Sequence, residues 1–321
     1  MTDSSGKLLL TGASGFVGGF VQQATRCVPL TLVGKEVDLR DAHAVTDAVL
    51  HLAAQTFVPR SFENPVETFE INFLGTYNLL AALKKTGFTG RFLLVSSGDV
   101  YGSIAPEHLP ITEELLPKPR SPYAVSKVAA EALCFQWNET AGFETVVARP
   151  FNHIGPGQRE DFVISAFAKQ IAEIKHGSKP AVIEVGDLDV TRDFLDVRDV
   201  VQAYLLLLRE GRAGEIYNIC SGAECSIRSL LEKMLKLAEL DTKHPAESGS
   251  PASAGFAVAG VSGGGRLSVE IRSNPAKFRP SEQRRVVGDA SKLRRHTGWQ
   301  PTYTIEQTLA DTIHSWEYQI A

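Results

Sequence analysis

The sequence has few cysteines and no long apolar run, and each shortage excludes a class of protein. Its four cysteines, Cys27, Cys134, Cys220 and Cys225, are scattered and form no Cys-x-x-Cys pair. Neither a disulfide framework nor a metal centre is therefore predicted, and a reducing cytosol suits the chain best. No apolar stretch approaches the roughly 20 residues that a membrane helix needs, and the first residues do not resemble an export signal. We expect a soluble cytoplasmic protein that does not enter a membrane.

The chain also lacks an excess of positive charge. It holds 33 Lys and Arg against 37 Asp and Glu, a net charge of −4, which does not suggest a nucleic-acid partner. With 43% hydrophobic and 22% charged residues among 321, the composition is that of a globular protein of about two domains.

Short apolar runs alternate with amphipathic stretches in the first half. The runs predicted as buried strands are residues 7–10, 30–33, 48–53, 92–95 and 145–148. Apolar residues at helical spacing predict long helices over 66–85 and 123–137. This βαβ rhythm predicts an α/β protein with a doubly wound parallel sheet.

The alternation of apolar runs and amphipathic stretches is less regular in the second half of the chain. We expect this half to form a smaller C-terminal α/β domain. Helices are expected at 164–175, 199–209 and 227–240, and a strand near 181–185. Residues 246–265 hold 15 Gly, Ser or Ala in 20, a composition typical of a mobile loop. Only 12 residues separate Asp38 from His51, so either the crossover helix there is very short or residues are missing from the sequence.

The segment TGASGFVG at residues 11–18 follows the first predicted strand and opens a helical pattern. Its glycines let backbone N–H groups approach a pyrophosphate closely at a helix N-terminus. The position after the first strand favours a dinucleotide site over the alternative, a simple strand-to-helix connection.

Tyr123 and Lys127, in the segment YAVSK, lie at i and i+4 of a predicted helix. There the ammonium can lower the pKa of the phenol and ready it for proton transfer. Taken alone, this spacing favours an exposed helical pair. Ser97 alters that balance, because it follows the strand 92–95 at the edge where open α/β sheets bind ligands, and its hydroxyl can hold a substrate carbonyl oxygen.

Together these segments resemble the extended short-chain dehydrogenase/reductase superfamily, in its nucleotide-sugar branch. The resemblance covers nearly the whole chain, and within the branch it is greatest to reductases of GDP-linked 4-keto-6-deoxy sugars. Further matching segments are HLAAQTFVP at 51–59, NFLGT at 72–76, SSGDVYG at 96–102, RPFNHIGPGQ at 149–158 and DLDVTRDFLD at 187–196. The resemblance implies an NAD(P)-binding Rossmann domain over 1–157, with a returning segment at about 190–220, and a mainly substrate-binding domain over 158–321.

The resemblance implies an NAD(P)H-dependent oxidoreductase that reduces the C4 ketone of GDP-4-keto-6-deoxy-D-mannose to GDP-D-rhamnose. Tyr123 would donate the proton, Ser97 would bind the ketone oxygen, and Lys127 would lower the tyrosine pKa and hold the nicotinamide ribose. The implied cofactor-binding positions are Gly12, Gly15, Phe16, Val17, Gly18, Lys35, Asp38, Leu39, Leu52, Ala53, Ala54, Tyr123, Lys127 and Pro150.

The implied substrate-binding positions are Ser97, Gly98, Asp99, Asn152, His153, Phe162, Val163, Arg192, Arg279 and Glu282. Arg192 and Arg279 each offer a diphosphate several N–H donors in fixed geometry. The alternative is a solvated basic segment around 272–285. His153 stands beside Gly and Pro, where a lone histidine is more often structural.

Gly98 and Asp99 bear on the type of reaction. In the related 4,6-dehydratases, the catalytic Ser or Thr is followed by Asp or Ser and then Glu, which eliminate water. Glycine has no proton donor and Asp is shorter than Glu, so Gly98 and Asp99 are poorly suited to the elimination of water. The alternative is that the pair simply forms a turn after the strand. A dehydratase or epimerase on the same scaffold and a non-catalytic dinucleotide-binding regulator remain alternatives. The joint presence of Ser97, Tyr123 and Lys127 argues against the regulator.

Cofactor preference is predicted from the residues after the strand 30–33. No carboxylate ends that strand, and Lys35 can pair with the 2′-phosphate of NADP, although Glu36 adjoins it. We expect NADPH to be preferred and NADH to be usable, unless Lys35 points into solvent.

A homodimer is also expected. The helices predicted over 66–85 and 123–137 carry apolar residues on more than one face, and members of the superfamily pair these helices into a four-helix bundle.

Overall fold

The computed structural model describes residues 7–30, 46–242, 267–277 and 283–321. The strands are β1 (Lys7–Thr11), β2 (Cys27–Leu30), β3 (Thr46–His51), β4 (Arg91–Val95), β5 (Glu144–Pro150), β6 (Asn152–Ile154), β7 (Val182–Val185), β8 (Thr191–Asp196), β9 (Ile216–Ile219), β10 (Glu224–Ser226), β11 (Leu240–Thr242) and β12 (Leu267–Ser273). The helices are α1 (Phe16–Ala24), α2 (Val58–Glu63), α3 (Pro65–Phe69), α4 (Gly75–Lys85), α5 (Pro122–Thr140), α6 (Val163–Lys175), α7 (Val197–Glu210), α8 (Ile227–Leu237), α9 (Ser291–Thr297) and α10 (Ile305–Ile320).

Six strands form a parallel sheet in the order β2, β1, β3, β4, β5, β9. The chain winds outward from β1 in both directions, so the switch point of the sheet lies between β1 and β3. Open α/β folds bind ligands in the crevice outside the carboxyl ends of the strands at this point. The predicted doubly wound α/β fold is confirmed.

Both faces of this sheet are covered, which explains why its strands are continuous apolar runs in the sequence. Leu8 and Leu10 of β1 pack in a cluster with residues of α1 and α7. Leu9 points to the opposite face and packs in a second cluster with residues of α4 and α5. Helices α5 and α7 are therefore anchored on opposite sides of the strands that end at the site described below.

The chain divides into two compact units. The larger comprises Met1–His153, Asp193–Glu224 and Arg285–Tyr303. The smaller comprises Ile154–Arg192, Cys225–Arg284 and Thr304–Ala321, and it contains a parallel sheet in the order β11, β12, β7. The segment Arg285–Tyr303 lies in the larger unit although the sequence pattern placed it with the second half.

Two helix predictions are wrong in detail. The helix predicted over 66–85 is interrupted by a π-helical turn, Glu70–Leu74, which contains Asn72, and the Asn72 side chain bonds the backbone of Gln55. The helix predicted over 227–240 ends at Leu237, since Glu239 has a φ of 59°, which no right-handed helix accepts.

Several predicted features lie wholly or partly outside the described residues. They are the strand 30–33, of which Leu30 ends β2, the crossover before His51 and the loop 246–265. Within the described ranges, no helix is both long and apolar enough to cross a membrane.

Candidate active site

The turn between β1 and α1 needs glycine for steric reasons. Gly12 has a φ of +72°, and a Cβ added to it would lie 2.8 Å from the backbone N of Ala53. A Cβ on Gly18 would lie 2.2 Å from the carbonyl oxygen of Gly12. Gly15 closes the turn with a hydrogen bond from its N–H to the same carbonyl, at 3.0 Å. The turn is thus pressed against the residues that follow β3, at the switch point of the sheet.

Helix α1 begins directly after this turn with its N-terminal amides turned toward the crevice. Gly15 is the capping residue, so no side chain of the described chain caps the helix, and its first turn holds no acidic residue. Amides at such an end lack helical partners and carry partial positive charge. The N–H groups of Phe16, Val17 and Gly18 therefore suit an anion such as a phosphate.

A buried histidine joins β3 to the glycine turn. The hydroxyl of Thr76 donates to the Asn72 carbonyl at 2.7 Å, so it accepts from Nε2–H of His51 at 3.0 Å. Nδ1 of His51 then accepts from the hydroxyl of Thr11 at 2.7 Å. Burial, followed by the charge of Lys127, lowers the pKa of His51 to about 3, so the ring is neutral.

The Asn72 side chain ties the π-helical turn to α5. Its amide nitrogen donates to the carbonyl of Gln55 at 3.1 Å and to the hydroxyl of Ser126 at 2.9 Å. Its oxygen accepts from the N–H of Gln55 at 2.8 Å. Ser126 in turn donates to the carbonyl of Tyr123 at 2.7 Å. Asn72 therefore helps to hold the first turn of α5, where the candidate proton donor lies.

The first turns of α5 place Tyr123 and Lys127 on one buried face. The helix starts at Pro122, and the hydroxyl of Ser121 caps it by accepting from the N–H of Ala124 at 3.1 Å. Tyr123 is 6% exposed and Lys127 4%. The Lys127 ammonium donates to the carbonyl of Val95 at 2.9 Å and lies 6.0 Å from the centre of the Tyr123 ring. The alternative of an exposed helical pair is therefore wrong.

Ser97 meets Tyr123 at the carboxyl end of β4. Its hydroxyl accepts from the N–H of Asp99 at 3.1 Å and lies close enough to the Tyr123 phenol to influence its pKa. Burial, followed by the charge of Asp99, raises the pKa of Tyr123, and the hydrogen bond from Ser97 lowers it. The lowering of this pKa by Lys127, expected from the sequence, is not found: Lys127 is not among the groups that shift the Tyr123 pKa, and burial is the largest influence on it. Burial also lowers the pKa of Lys127 to about 8.

The backbone at Gly98 leaves little room for a side chain. A Cβ there would lie 3.3 Å from two ring atoms of Phe151, closer than ordinary van der Waals contact. Asp99 follows in a 3₁₀ turn, Gly98–Tyr101, which Ser97 caps by accepting from the N–H of Asp99. The position directly after Ser97 thus carries no acid or base.

The structure brings most other predicted residues of the larger unit to the same sheet edge. Leu52, Ala53 and Ala54 follow the end of β3, and Pro150 ends β5. The ring of His153 stacks on that of Phe16, at 6.2 Å and 4°, and its Nδ1 lies 3.2 Å from the Phe151 carbonyl. Asn152 begins β6 and is exposed.

The remaining predicted residues belong to the smaller unit or lie outside the described residues. Phe162 caps α6, Val163 begins it, and both are exposed in the smaller unit. Arg192 of the same unit donates to the carbonyls of Thr191 and Gln283. Lys35, Asp38, Leu39, Arg279 and Glu282 lie outside the described residues.

Sequence reasoning missed a buried ion pair beneath the site. Glu131 lies one turn beyond Lys127 on α5 and pairs with Arg149 of β5 at 2.6 Å, with both side chains nearly inaccessible. Extending the i, i+4 spacing from Tyr123 through Lys127 points to Glu131. The partner on β5 has no such local signal.

The family model described as GDP-mannose 4,6 dehydratase matches residues 36–312. The chain belongs to this family. Membership in the GDP-mannose 4,6 dehydratase family places it in the nucleotide-sugar branch of the extended short-chain dehydrogenase/reductase superfamily, as the sequence motifs predict.

Several members and neighbours of the family are similar over nearly the full length of the chain. GDP-6-deoxy-D-mannose reductase of Pseudomonas aeruginosa is 47% identical over 325 residues, with 98% of each chain covered. dTDP-glucose 4,6-dehydratase of Xanthomonas campestris pv. campestris is 31% identical over 348 residues, covering 95% of this chain and 91% of that one. The solved structure of RMD from Pseudomonas aeruginosa complexed with NADPH is 45% identical, with a TM-score of 0.83 and 98% and 100% of the two chains covered.

Proposed function

We propose that this protein is an NADPH-dependent reductase that converts the C4 ketone of GDP-4-keto-6-deoxy-D-mannose to the alcohol of GDP-D-rhamnose. The observation that carries the proposal is that Ser97 and Tyr123 meet at the carboxyl end of β4, with the Lys127 ammonium buried one turn further along α5. The relative named GDP-6-deoxy-D-mannose reductase supports the substrate, and the similar structure complexed with NADPH supports the cofactor.

The residues at the switch point fit a dinucleotide. The glycine turn leaves no space for a Cβ at Gly12 or Gly18, and the uncapped N-terminus of α1 offers N–H groups to a pyrophosphate. We assign Gly12, Gly15 and the amides of Phe16, Val17 and Gly18 to the phosphates, and Lys127 to the nicotinamide ribose. The cofactor, when bound, supplies the hydride for C4.

The side chains at the sheet edge then act on the ketone oxygen. Ser97 donates a hydrogen bond to it, and Tyr123 gives up its phenolic proton as negative charge develops there. The raised pKa of Tyr123 keeps this proton in place until the oxygen becomes basic enough to take it.

Reduction is supported over elimination by the residues after Ser97. A dehydratase needs an acid or base next to the serine to remove water, and Gly98 offers none. The Phe151 ring lies against that position, so a side chain could enter only if the ring moved. The backbone N–H of Asp99 donates a hydrogen bond to the hydroxyl of Ser97.

We further propose that the larger unit binds the cofactor and the smaller unit binds mainly the nucleotide sugar, with Asn152, His153, Phe162, Val163, Arg192, Arg279 and Glu282 as substrate contacts. The positive charge of the segment 272–285 does not by itself identify a diphosphate site, because Arg272, Arg284 and Arg285 pair with carboxylates of this chain.

We also propose a homodimer formed through α3, α4 and α5. The four free thiols support a reducing cytoplasm.

The decisive experiment supplies purified protein with GDP-4-keto-6-deoxy-D-mannose and NADPH. We expect NADPH to be consumed in proportion to product, and NMR to identify that product as GDP-D-rhamnose. A protein that instead converts GDP-mannose to the 4-keto sugar with no net use of NADPH would be a dehydratase. A protein that binds NADPH and converts neither sugar would be the non-catalytic regulator.

A further inference from the structure

A buried ion pair lies directly behind the candidate catalytic residues. Glu131 accepts two hydrogen bonds from Arg149, from Nε to Oε1 at 2.9 Å and from Nη2 to Oε2 at 2.6 Å. The hydroxyl of Ser96 donates a third, to Oε1. The side chains of Arg149 and Glu131 are only 2% and 6% exposed. Three donors therefore surround and orient the Glu131 carboxyl group.

Stability alone is a poor explanation for such a pair. Removing two charges from water costs several kcal/mol per ion, and well-packed apolar residues of similar volume often serve the fold equally well. The Arg149 guanidinium also lies 4.7 Å from the centre of the Tyr101 ring, which fixes its plane. The arrangement orients one carboxylate, one helical turn from Lys127.

Glu131 lies four residues beyond Lys127 on α5, so the two side chains share one face of the helix. The titratable groups around the ammonium are Tyr123, Glu131 and Cys134 on α5, His51 at the end of β3, and Arg149 on β5 behind Glu131. His51 is neutral, and burial raises the pKas of Tyr123 and Cys134, so these two groups keep their protons. Within this set, the charge of Glu131 is the largest influence that counters the cost of burying the Lys127 charge.

We propose that Glu131 is a positioning residue, oriented by Arg149 and Ser96, that keeps the buried ammonium of Lys127 charged. The inference deepens the proposed function and rests on it for the use of that charge. The charge itself can be measured without turnover.

The value of the Lys127 pKa decides whether losing the Glu131 charge changes the charged fraction of Lys127 at neutral pH. Burial lowers the pKa of Lys127 to about 8, and the charge of Glu131 is the largest influence that opposes this lowering. At that value about nine-tenths of the lysine is charged at pH 7, and a further fall of about one unit would leave about half. Opposite charges a few ångströms apart commonly shift a pKa by about 1 to 3 units.

Glu131→Gln tests the proposal by removing the charge while keeping the shape of the side chain. Protein labelled with ¹⁵N-lysine, without added cofactor, is titrated by NMR, and the Nζ signal of Lys127 is assigned by its loss in Lys127→Met. We expect the Lys127 pKa to fall by about one unit or more. The alkaline limb of kcat/KM with NADPH should move down by a similar amount. Glu139→Gln, two turns further along α5 and exposed, is the matched control and should change neither.

A second variant separates electrostatics from folding. Because Glu131→Gln leaves Arg149 buried without its partner, the double variant Glu131→Gln/Arg149→Met removes both charges and should recover the Tm. Its Lys127 pKa should stay low. An Nζ titration at the wild-type pKa in either folded variant would overturn the proposal. If the pKa falls as expected but the wild-type protein reduces no 4-keto sugar, the proposed function fails and this inference stands.

Discussion

The hydroxyl of Thr11, at the end of β1, donates to Nδ1 of His51, at the end of β3, across a distance of 2.7 Å. This contact crosses the switch point of the sheet, beside the glycine turn. The same Thr11 oxygen accepts from the N–H of Ala53 at 3.1 Å. The histidine is therefore a neutral link between β1 and α4, and its protonation would break the link.

We expect His51 to make stability depend on pH. Its pKa is about 3 when folded and about 6.5 when unfolded, so the unfolded chain binds more protons between these values. The stabilisation is complete above pH 6.5 and is lost as the pH falls, by about 2 kcal/mol between pH 6.5 and pH 5. Denaturant titrations should show the free-energy difference between wild type and His51→Asn shrinking toward acid. A difference independent of pH would contradict this.

Tyr123→Phe should bind cofactor and substrate normally but lose more than nine-tenths of kcat, because only the transferable proton is removed. Steady-state kinetics and NADPH titration measure the two properties separately. Tyr318→Phe changes a tyrosine that is 88% exposed and should behave as wild type. A Tyr123→Phe enzyme that kept more than about a tenth of wild-type kcat, a loss below roughly 1.4 kcal/mol, would show that another group is the acid.

Gly18→Ala should weaken NADPH binding about tenfold or more and lower stability by about 1 to 3 kcal/mol, since its Cβ would lie 2.2 Å from the Gly12 carbonyl oxygen. Gly19→Ala is the neighbouring control, because a Cβ there meets nothing within 4 Å. Thermal melts and fluorescence titration measure both effects. Equal affinity of the two variants would mean that the turn does not hold the phosphates.

A homodimer should form at micromolar concentration through the exposed apolar side chains of α3 and α5. Val66 and Phe135 are 66% and 63% exposed. A charge at this face, as in Phe135→Glu, should shift light scattering to the monomer mass. Leu116→Glu changes a residue that is 78% exposed but lies outside these helices, and it should remain dimeric. A monomer mass for the wild-type protein at this concentration would contradict the predicted homodimer.

NADPH should be preferred over NADH, and Lys35→Ala should reduce that preference, because a lysine there can pair with the 2′-phosphate. Lys35 lies outside the described residues, so this prediction depends on the sequence alone. The kcat/KM values for both cofactors, in wild type and variant, measure it. A wild-type ratio favouring NADH, or unchanged NADPH use in Lys35→Ala, would show that Lys35 does not contact the phosphate.

The sequence by itself determined the parallel sheet, the glycine turn and the Tyr123 and Lys127 pair. These features depend on local spacing: apolar runs form buried strands, glycines permit one tight turn, and residues four apart share a helix face. These features can therefore be recognised in the sequence before the fold is known.

Only the tertiary structure decided the electrostatics of those residues. Burial raises the pKa of Tyr123 and lowers that of Lys127, and the extent of burial depends on strands and helices distant in the chain. The pairing of Glu131 with Arg149 joins a helix to a strand 18 residues later. The Asn72 side chain in the π-helical turn likewise bonds the backbone of Gln55, 17 residues earlier. Local propensity cannot encode such contacts, because they exist only once the sheet has brought their elements together.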